Sequence, residues 1–422
     1  MRKLNVFINQ LKVGVLFEEN DIWAFRYDDT WLHYADKHPI CPQIPLQTKK
    51  QIDGSTKRYI QWFFDNLLPE EGARTLLAKD IKIDEADSFG ILAITGAESA
   101  GALTLLASEI NNNSNNKAFL ALPKSALSSR IKGLPDLPLN NQESKRMSIA
   151  GAQHKMLIIK SDDQILEPVG SAPSSHILKP EHSKPDLYWQ TVRNEWFVMN
   201  LAKAVGLNVP NTEICYLPEP VYIIERFDRK GLFPEQLRVH ALDGCQLLGL
   251  SRSVKYAQSS VEQLNNFTEK LRAKGKAKIT IFNWAIFNAL VGNTDAHLKN
   301  LSCLVTPNGM VLSPMYDLIS TAIYDDEGRH LHAELSQTMG NAKVLGKLTR
   351  NDVFEFGEGL GLNKTISQRE LDKMLNKIGI EADKIIANVT GLEGITNKAG
   401  ELYMLREIRY KMIQEMVVRL QS

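Results

Sequence analysis

Gly292 to Asn300 reads "GNTDAHLKN", a polar stretch set between the apolar run "ITIFNWAIFNALV" and the strand-like "LSCLV". Asp295 and Asn300 stand five positions apart. That is the D-x-x-x-x-N spacing by which a kinase catalytic loop supplies a general base and, on the same turn, a magnesium ligand. The next segment, "LSCLVTPNGMVLSPMYD", reads as two short strands around Asn308-Gly309, a pair suited to a hairpin turn, and it leads to Asp317 in "MYDLIS". Hairpin strands return the chain to within about 5 Å of its outgoing neighbour, so Asn300 and Asp317 can converge on one ion. Magnesium favours one or two carboxylates together with substrate phosphates over a full protein cage. Phosphoryl transfer also needs a cation on the phosphates. Lys179 in "HILKP", at the end of a strand in a smaller lobe, is the simplest candidate.

Composition frames this reading without deciding it. A chain of 422 residues with 43% hydrophobic and 23% charged content can bury a sizeable core. Fifty basic residues against 49 acidic ones leave a net charge of +1, which gives no overall electrostatic reason for nucleic acid or an anionic membrane as the main partner. Cys41, Cys215, Cys245 and Cys303 are widely spaced with no C-x-x-C pair, which argues against a zinc ribbon or a secreted disulfide framework and for reduced thiols. The start "MRKLNVFINQ" has no following apolar signal region, and no apolar run reaches the ~20 residues of a spanning helix. A cytoplasmic protein is expected.

Along the chain, "KLNVFINQLKVGVLFEENDIWAFRYD" alternates apolar and polar residues in short runs, the mark of a strand meander, and "GILAITGAESAGALTLL" closes an N-terminal α/β unit over residues 1–105. Residues 106–142, with "SEINNNSNNKAF" and "GLPDLPLNNQESK", read as a linker rich in turn formers. Residues 143–236 read as a kinase small lobe in the order strand, strand, helix, strand, strand, with "NEWFVMNLAKAVGL" as the helix and "EICYL" and "VYIIERFDR" as the last two strands. Residues 237–422 turn mainly helical. The fold class expected is α+β, a two-lobed protein-kinase-like arrangement.

Each signal has a plainer reading. Asp295, Asn300 and Asp317 can form an Asx-turn network without a metal. His297 can simply donate to a neighbouring carbonyl. Lys179 precedes Pro180 and can end a strand with its charge in solvent. Glu225 and Arg226 can form surface ion pairs, and Ser148 can be a solvent-facing hydroxyl. Tyr188, Trp189 and Trp196 read as core, and whether Glu195 or a neighbouring acid pairs with Lys179 is open. The order of lysine, strand pair, helices, catalytic loop, hairpin and Asp is much more restrictive than any one of these.

Taken in order, "MSIAGAQHK", "HILKP", "NEWFVMNLAKAVGLNVPNTEI", "IERFDR", "CQLLGL" with "SVKY", "GNTDAHLKN" and "SPMYDLIS" resemble the segments of the HipA family of serine/threonine kinases, the toxin members of bacterial toxin–antitoxin pairs. The resemblance runs over nearly the whole length, so a full-length member with its own N-terminal subdomain is expected. It implies ATP and Mg²⁺ as cofactors, Asp295 as the catalytic base, and Asn300 and Asp317 as magnesium ligands. It implies nucleotide contacts from Ala150, Gly151, Ala152, Gln153, Lys155, Lys179, Glu225, Phe227, His297 and Lys299. Ser148 corresponds to the serine that family members autophosphorylate to inactivate themselves. A phosphoserine adds roughly −1.5 to −2 charges beside amides meant for ATP phosphates, so the loop cannot serve both.

The resemblance further implies a HipB-type helix-turn-helix antitoxin, contact with operator DNA through that complex, and an aminoacyl-tRNA synthetase substrate of glutamyl or tryptophanyl type. Growth arrest and persistence would follow from lost tRNA charging. Two rivals stand beside this reading. One is a lipid or small-molecule kinase, whose loops share D-x-H-x-x-N, though no basic amphipathic segment suggests a membrane. The other is a catalytically weak corepressor that acts only on DNA with its antitoxin.

Overall fold

The computed structural model describes residues 1–107, 119–134, 139, 154–162, 164–170, 172–325 and 329–421. The chain divides into two compact units. One comprises Met1–Lys179, Glu225–Ser253 and Leu304–Asn308, the other Pro180–Ile224, Val254–Cys303 and Gly309–Ser422.

In the first unit, β1 (Arg2–Ile8), β2 (Leu11–Glu19) and β3 (Ile22–Tyr27) form the meander that the sequence pattern predicts. Two further strands, β4 (Gln51–Ile52) and β5 (Leu103–Leu106), complete an antiparallel sheet ordered β4-β3-β2-β1-β5. Helices Tyr59–Asp65 and Ser88–Thr95 bring Phe64 and Phe89 against this sheet, with ring centroids 6.0 Å from Phe25 and 5.2 Å from Trp23. Aromatic burial of this kind lets a small layer exclude water.

A second sheet of the same unit uses β6 (Phe119–Ala121), β7 (Met156–Ser161), β8 (Gln164–Pro168) and β9 (His176–Pro180), all antiparallel in the order β6-β8-β7-β9. Here the structure adds to the expected order. β6 and a helix, Lys124–Lys132, lie within the stretch read as linker, and β8 was not anticipated. The reason is visible at Glu167, a carboxylate buried at 3% exposure inside "QILEP", which breaks the apolar pattern. Arg130 satisfies it with two parallel bonds of 3.2 and 3.0 Å.

The second unit contains the helix Thr191–Val205, whose end is capped by Gly206 in the left-handed conformation. Next come β10 (Thr212–Tyr216) and β11 (Pro220–Glu225), an antiparallel pair. The rest is mainly helical, as expected. Helix Lys274–Val291 is the buried element at its centre, and every residue from Trp284 to Val291 is inaccessible. A helix segment buried on all sides loses its amphipathic period, which is why the sequence from Trp284 to Val291 is apolar but for Asn288. "ISQRELDKMLNKIG" forms the first half of a helix of 28 residues, Lys364–Gly391. The Glu334–Met339 and Ala342–Val344 hairpin escaped the sequence reading because its strands are too short to show a period. Among the described residues no helix is long and apolar enough to cross a membrane.

Candidate active site

The loop that follows the central helix is fixed by its backbone before any chemistry is considered. Gly292 ends the helix at φ +69°, its N–H donating to the carbonyls of Asn288 and Ala289. A Cβ there would lie 2.4 Å from Met412 Cε, so glycine is required both by torsion and by space. The Gly292 carbonyl accepts the N–H groups of Thr321 and Ala322 at 3.0 and 2.9 Å. Thr294 N–H donates to Thr321 Oγ1 at 2.7 Å, and Asp295 N–H to Asn293 Oδ1 at 3.0 Å. Gln337 Nε2 donates to the Ala296 carbonyl at 2.7 Å, and Leu298 N–H to Ser259 Oγ at 2.9 Å. Side chains of Thr321, Gln337 and Ser259, backbone groups of Thr321 and Ala322, and the neighbouring Asn293 thus satisfy the loop's backbone, which makes the loop rigid.

On this frame the Asp295 side chain is half exposed (50%), while His297, Lys299 and Asn300 are each only 6% exposed. Asn300 Nδ2 donates to the Asp295 carbonyl at 2.8 Å, which turns its Oδ1 the other way. Tyr256 Oη donates to Asp295 Oδ1 at 2.6 Å, and His297 Nε2 is 3.9 Å from the same oxygen. Tyr316 Oη donates to the Lys299 carbonyl at 2.7 Å, which draws the segment carrying Asp317 against the loop. Asp317 adopts φ +58°, a conformation that costs free energy for a residue with a Cβ and clusters at functional sites. The Tyr222 hydroxyl is pushed far up by burial and by the carboxylates of Glu195 and Asp317. Glu195, from helix Thr191–Val205, and Asp317 thus both act on the Tyr222 hydroxyl. The same helix anchors the segment beyond Asp317 through Asn194, which bonds Ser320 N–H and Ser320 carbonyl, both at 2.9 Å.

In the other unit Lys179 is buried (5%) on β9. Lys155 is half-buried just ahead of β7, Glu225 is exposed at the end of β11, and Phe227 is half-buried. Ser148, Ala150, Gly151, Ala152 and Gln153 lie outside the described residues. The surface ion pair considered for Arg226 is corrected. Arg226 is 4% exposed and bonds Asp228 through both Nε and Nη2, at 2.9 and 2.7 Å. With Arg229, Arg238, Glu98 and Ser174 it forms a buried ionic cluster around Glu98, a residue to which the sequence reading gave no role. Tyr256, Ser259, Thr321 and Gln337 were missed likewise; only the family segment "SVKY" hinted at the first.

Asn300 and Asp317 offer hard oxygen donors, the chemistry that magnesium prefers. Among the described residues no group of three or more His, Cys, Asp or Glu side chains could hold a metal. A two-residue oxygen set fits an ion whose remaining ligands come from phosphate and water. The ordered loop, with its half-exposed Asp and buried Asn, belongs to a chain of protein-kinase-like fold.

Comparison with known proteins narrows this class. The model of the HipA-like C-terminal domain matches residues 147–385, and that of the HipA N-terminal domain residues 4–106. The chain belongs to the HipA family. It is 30% identical to the serine/threonine-protein kinase toxin HipA of Shewanella oneidensis over 89% of this chain and 87% of that protein. It is 29% identical to the putative kinase Y4mE of Sinorhizobium fredii, over 93% of this chain and 94% of the relative. Among solved structures it resembles HipA in the complex of HipA, HipB and operator DNA from Shewanella oneidensis MR-1. That likeness has a TM-score of 0.82 at 26% identity and covers 99% of this chain and 97% of the other.

Proposed function

We propose that this protein is an ATP- and Mg²⁺-dependent serine/threonine protein kinase, the toxin of a HipA/HipB-type pair. The observation that carries the reading is the Asp295–Asn300 turn, where one bond joins a buried amide to the backbone of a half-exposed carboxylate. In this reading Asp295 holds the acceptor hydroxyl and takes its proton as the Oγ–P bond forms and the bond to the leaving diphosphate breaks. Asn300 and Asp317 hold magnesium, which when bound neutralises charge on the phosphates. Lys179, Lys155 and Lys299 supply cations to the phosphates, and Glu225, Phe227 and His297 contact the nucleoside. Ser148, with the loop Ala150 to Gln153, is the self-phosphorylated switch.

The HipA–HipB–operator complex of Shewanella oneidensis supports a HipB-type antitoxin and operator DNA as partners, and the antitoxin is proposed to carry a helix-turn-helix. An aminoacyl-tRNA synthetase is the proposed substrate, with growth arrest in the cytoplasm as the outcome. Intact mass after incubation with Mg-ATP tests the core of the reading. The wild type should gain one phosphate, whereas Asp295→Asn and Ser148→Ala should gain none. No gain by verified unphosphorylated wild type would overturn the autokinase reading in favour of the corepressor. Transfer to inositol lipids or sugars but not to protein would favour the small-molecule kinase.

A further inference from the structure

Tyr256 stands 53% exposed, yet its surroundings are built with care. Its hydroxyl donates to Asp295 Oδ1 at 2.6 Å, within the short range of bonds to an ionised carboxylate. Its ring meets the His297 ring edge-on, with centroids 4.9 Å apart and planes at 77°. Lys255 Nζ lies 4.9 Å from the centre of the same ring. The turn that carries Tyr256 is fastened to the catalytic loop by Ser259, whose Oγ accepts from Leu298 N–H and donates to the Lys255 carbonyl, both at 2.9 Å. Tyr256 and Asp295 are 39 residues apart, so none of this is local turn chemistry.

A half-exposed Asp on a loop, left to itself, samples several χ1 and χ2 settings in solvent. A base that must meet one hydroxyl in line with one phosphate gains rate from being held in a single setting. We propose that Tyr256 is a positioning residue that holds the carboxylate of Asp295 by its Oδ1 edge in the orientation that receives the acceptor proton. This rests on the reading of Asp295 as the base. The hydroxyl takes no proton from substrate and touches no phosphate; it acts through Asp295. Its ring serves as the spacer that sets the hydroxyl at the required height above His297.

The test is the Tyr256→Phe variant, which keeps the ring contacts and removes one oxygen. Two quantities are read on wild type and variant, both starting from unphosphorylated protein. One is the rate of phosphate incorporation at saturating Mg-ATP, followed by intact mass. The other is the dissociation constant of a fluorescent N-methylanthraniloyl ATP with Mg²⁺. Loss of an orienting bond to a charged group should slow incorporation by about ten- to a hundredfold while nucleotide affinity stays within about twofold. The melting temperature should stay unchanged, since an exposed hydroxyl is lost. A variant as fast as the wild type overturns the proposal. So does a fall in rate matched by a fall in nucleotide affinity or melting temperature, which marks a structural role. If the wild type itself incorporates no phosphate, the base assignment fails and the proposal with it, so the two failures are told apart by the wild-type arm.

Discussion

Glu98→Ala should be among the most damaging single substitutions in the first unit. The carboxylate has no exposure and accepts from Ser174 Oγ at 2.8 Å, Arg229 Nη2 at 2.7 Å and Arg226 Nη1 at 3.3 Å, with Arg238 as a fourth partner. Asp228 is the second anion of the cluster, 2.7 Å from Arg226 and 3.2 Å from Arg229. Three guanidiniums thus share two carboxylates. The crowding shows at Arg229, whose guanidinium is pulled down to about 10 by burial and by the Arg226 charge. Removing Glu98 strands three cations on one anion. Breaking a buried pair costs about 3–5 kcal/mol, and the number of donors stranded here places the loss near the upper end. For a unit of this size that corresponds to a melting temperature lower by about 10–20 °C. Calorimetric melting measures it directly. The double variant Glu98→Ala/Arg238→Met supplies the sharper check, because deleting a stranded cation should recover part of the loss. A single-variant shift below about 2 °C, or a double variant whose losses simply add, would refute the reasoning.

Other outcomes follow from single contacts. Gly292→Ala forces φ +69° on a residue with a Cβ placed 2.4 Å from Met412 Cε and 3.1 Å from Ala322 Cβ. The left-handed torsion alone costs about 1–2 kcal/mol, and because the loop that carries the proposed base Asp295 begins here, phosphate incorporation should fall more than about tenfold; equal initial rates would contradict this. Arg193→Met leaves the buried Glu401 carboxylate without its 2.5 Å partner and should lower stability by about 3–5 kcal/mol, read from urea unfolding. His240 is buried, donates through Nε2 to the Ile40 carbonyl at 2.7 Å, and is pulled down to about 3 by burial and by the stacked His38. Its folded pKa lies below the unfolded value, so its contribution is complete above about pH 6.5 and is lost as pH falls towards 3, at about 1.4 kcal/mol per pH unit. His240→Gln should flatten the acid limb of a stability–pH profile, and an unchanged slope would remove His240 as its source.

The segments that carry the family resemblance were legible in the chain. Asp295, Asn300 and Asp317 are residue types at short spacings, and the order of lysine strand, loop and hairpin survives in one dimension. The meander and the buried helix were legible too, since alternation and a predominantly apolar run are local properties of the sequence. The support of the loop was not. Tyr256, Thr321 and Gln337 act on residues 39, 27 and 41 positions away, and nothing about a Tyr, Thr or Gln in isolation announces a distant carboxylate or carbonyl. Arg226 shows the same limit from the other side. Its residue type suggested a surface pair, and only the arrival of Glu98 from 128 positions away makes it a buried ion. Local periodicity and spacing are determined by covalent sequence. Which polar groups are desolvated, and by which partner they are then satisfied, is decided only when the chain has closed in three dimensions.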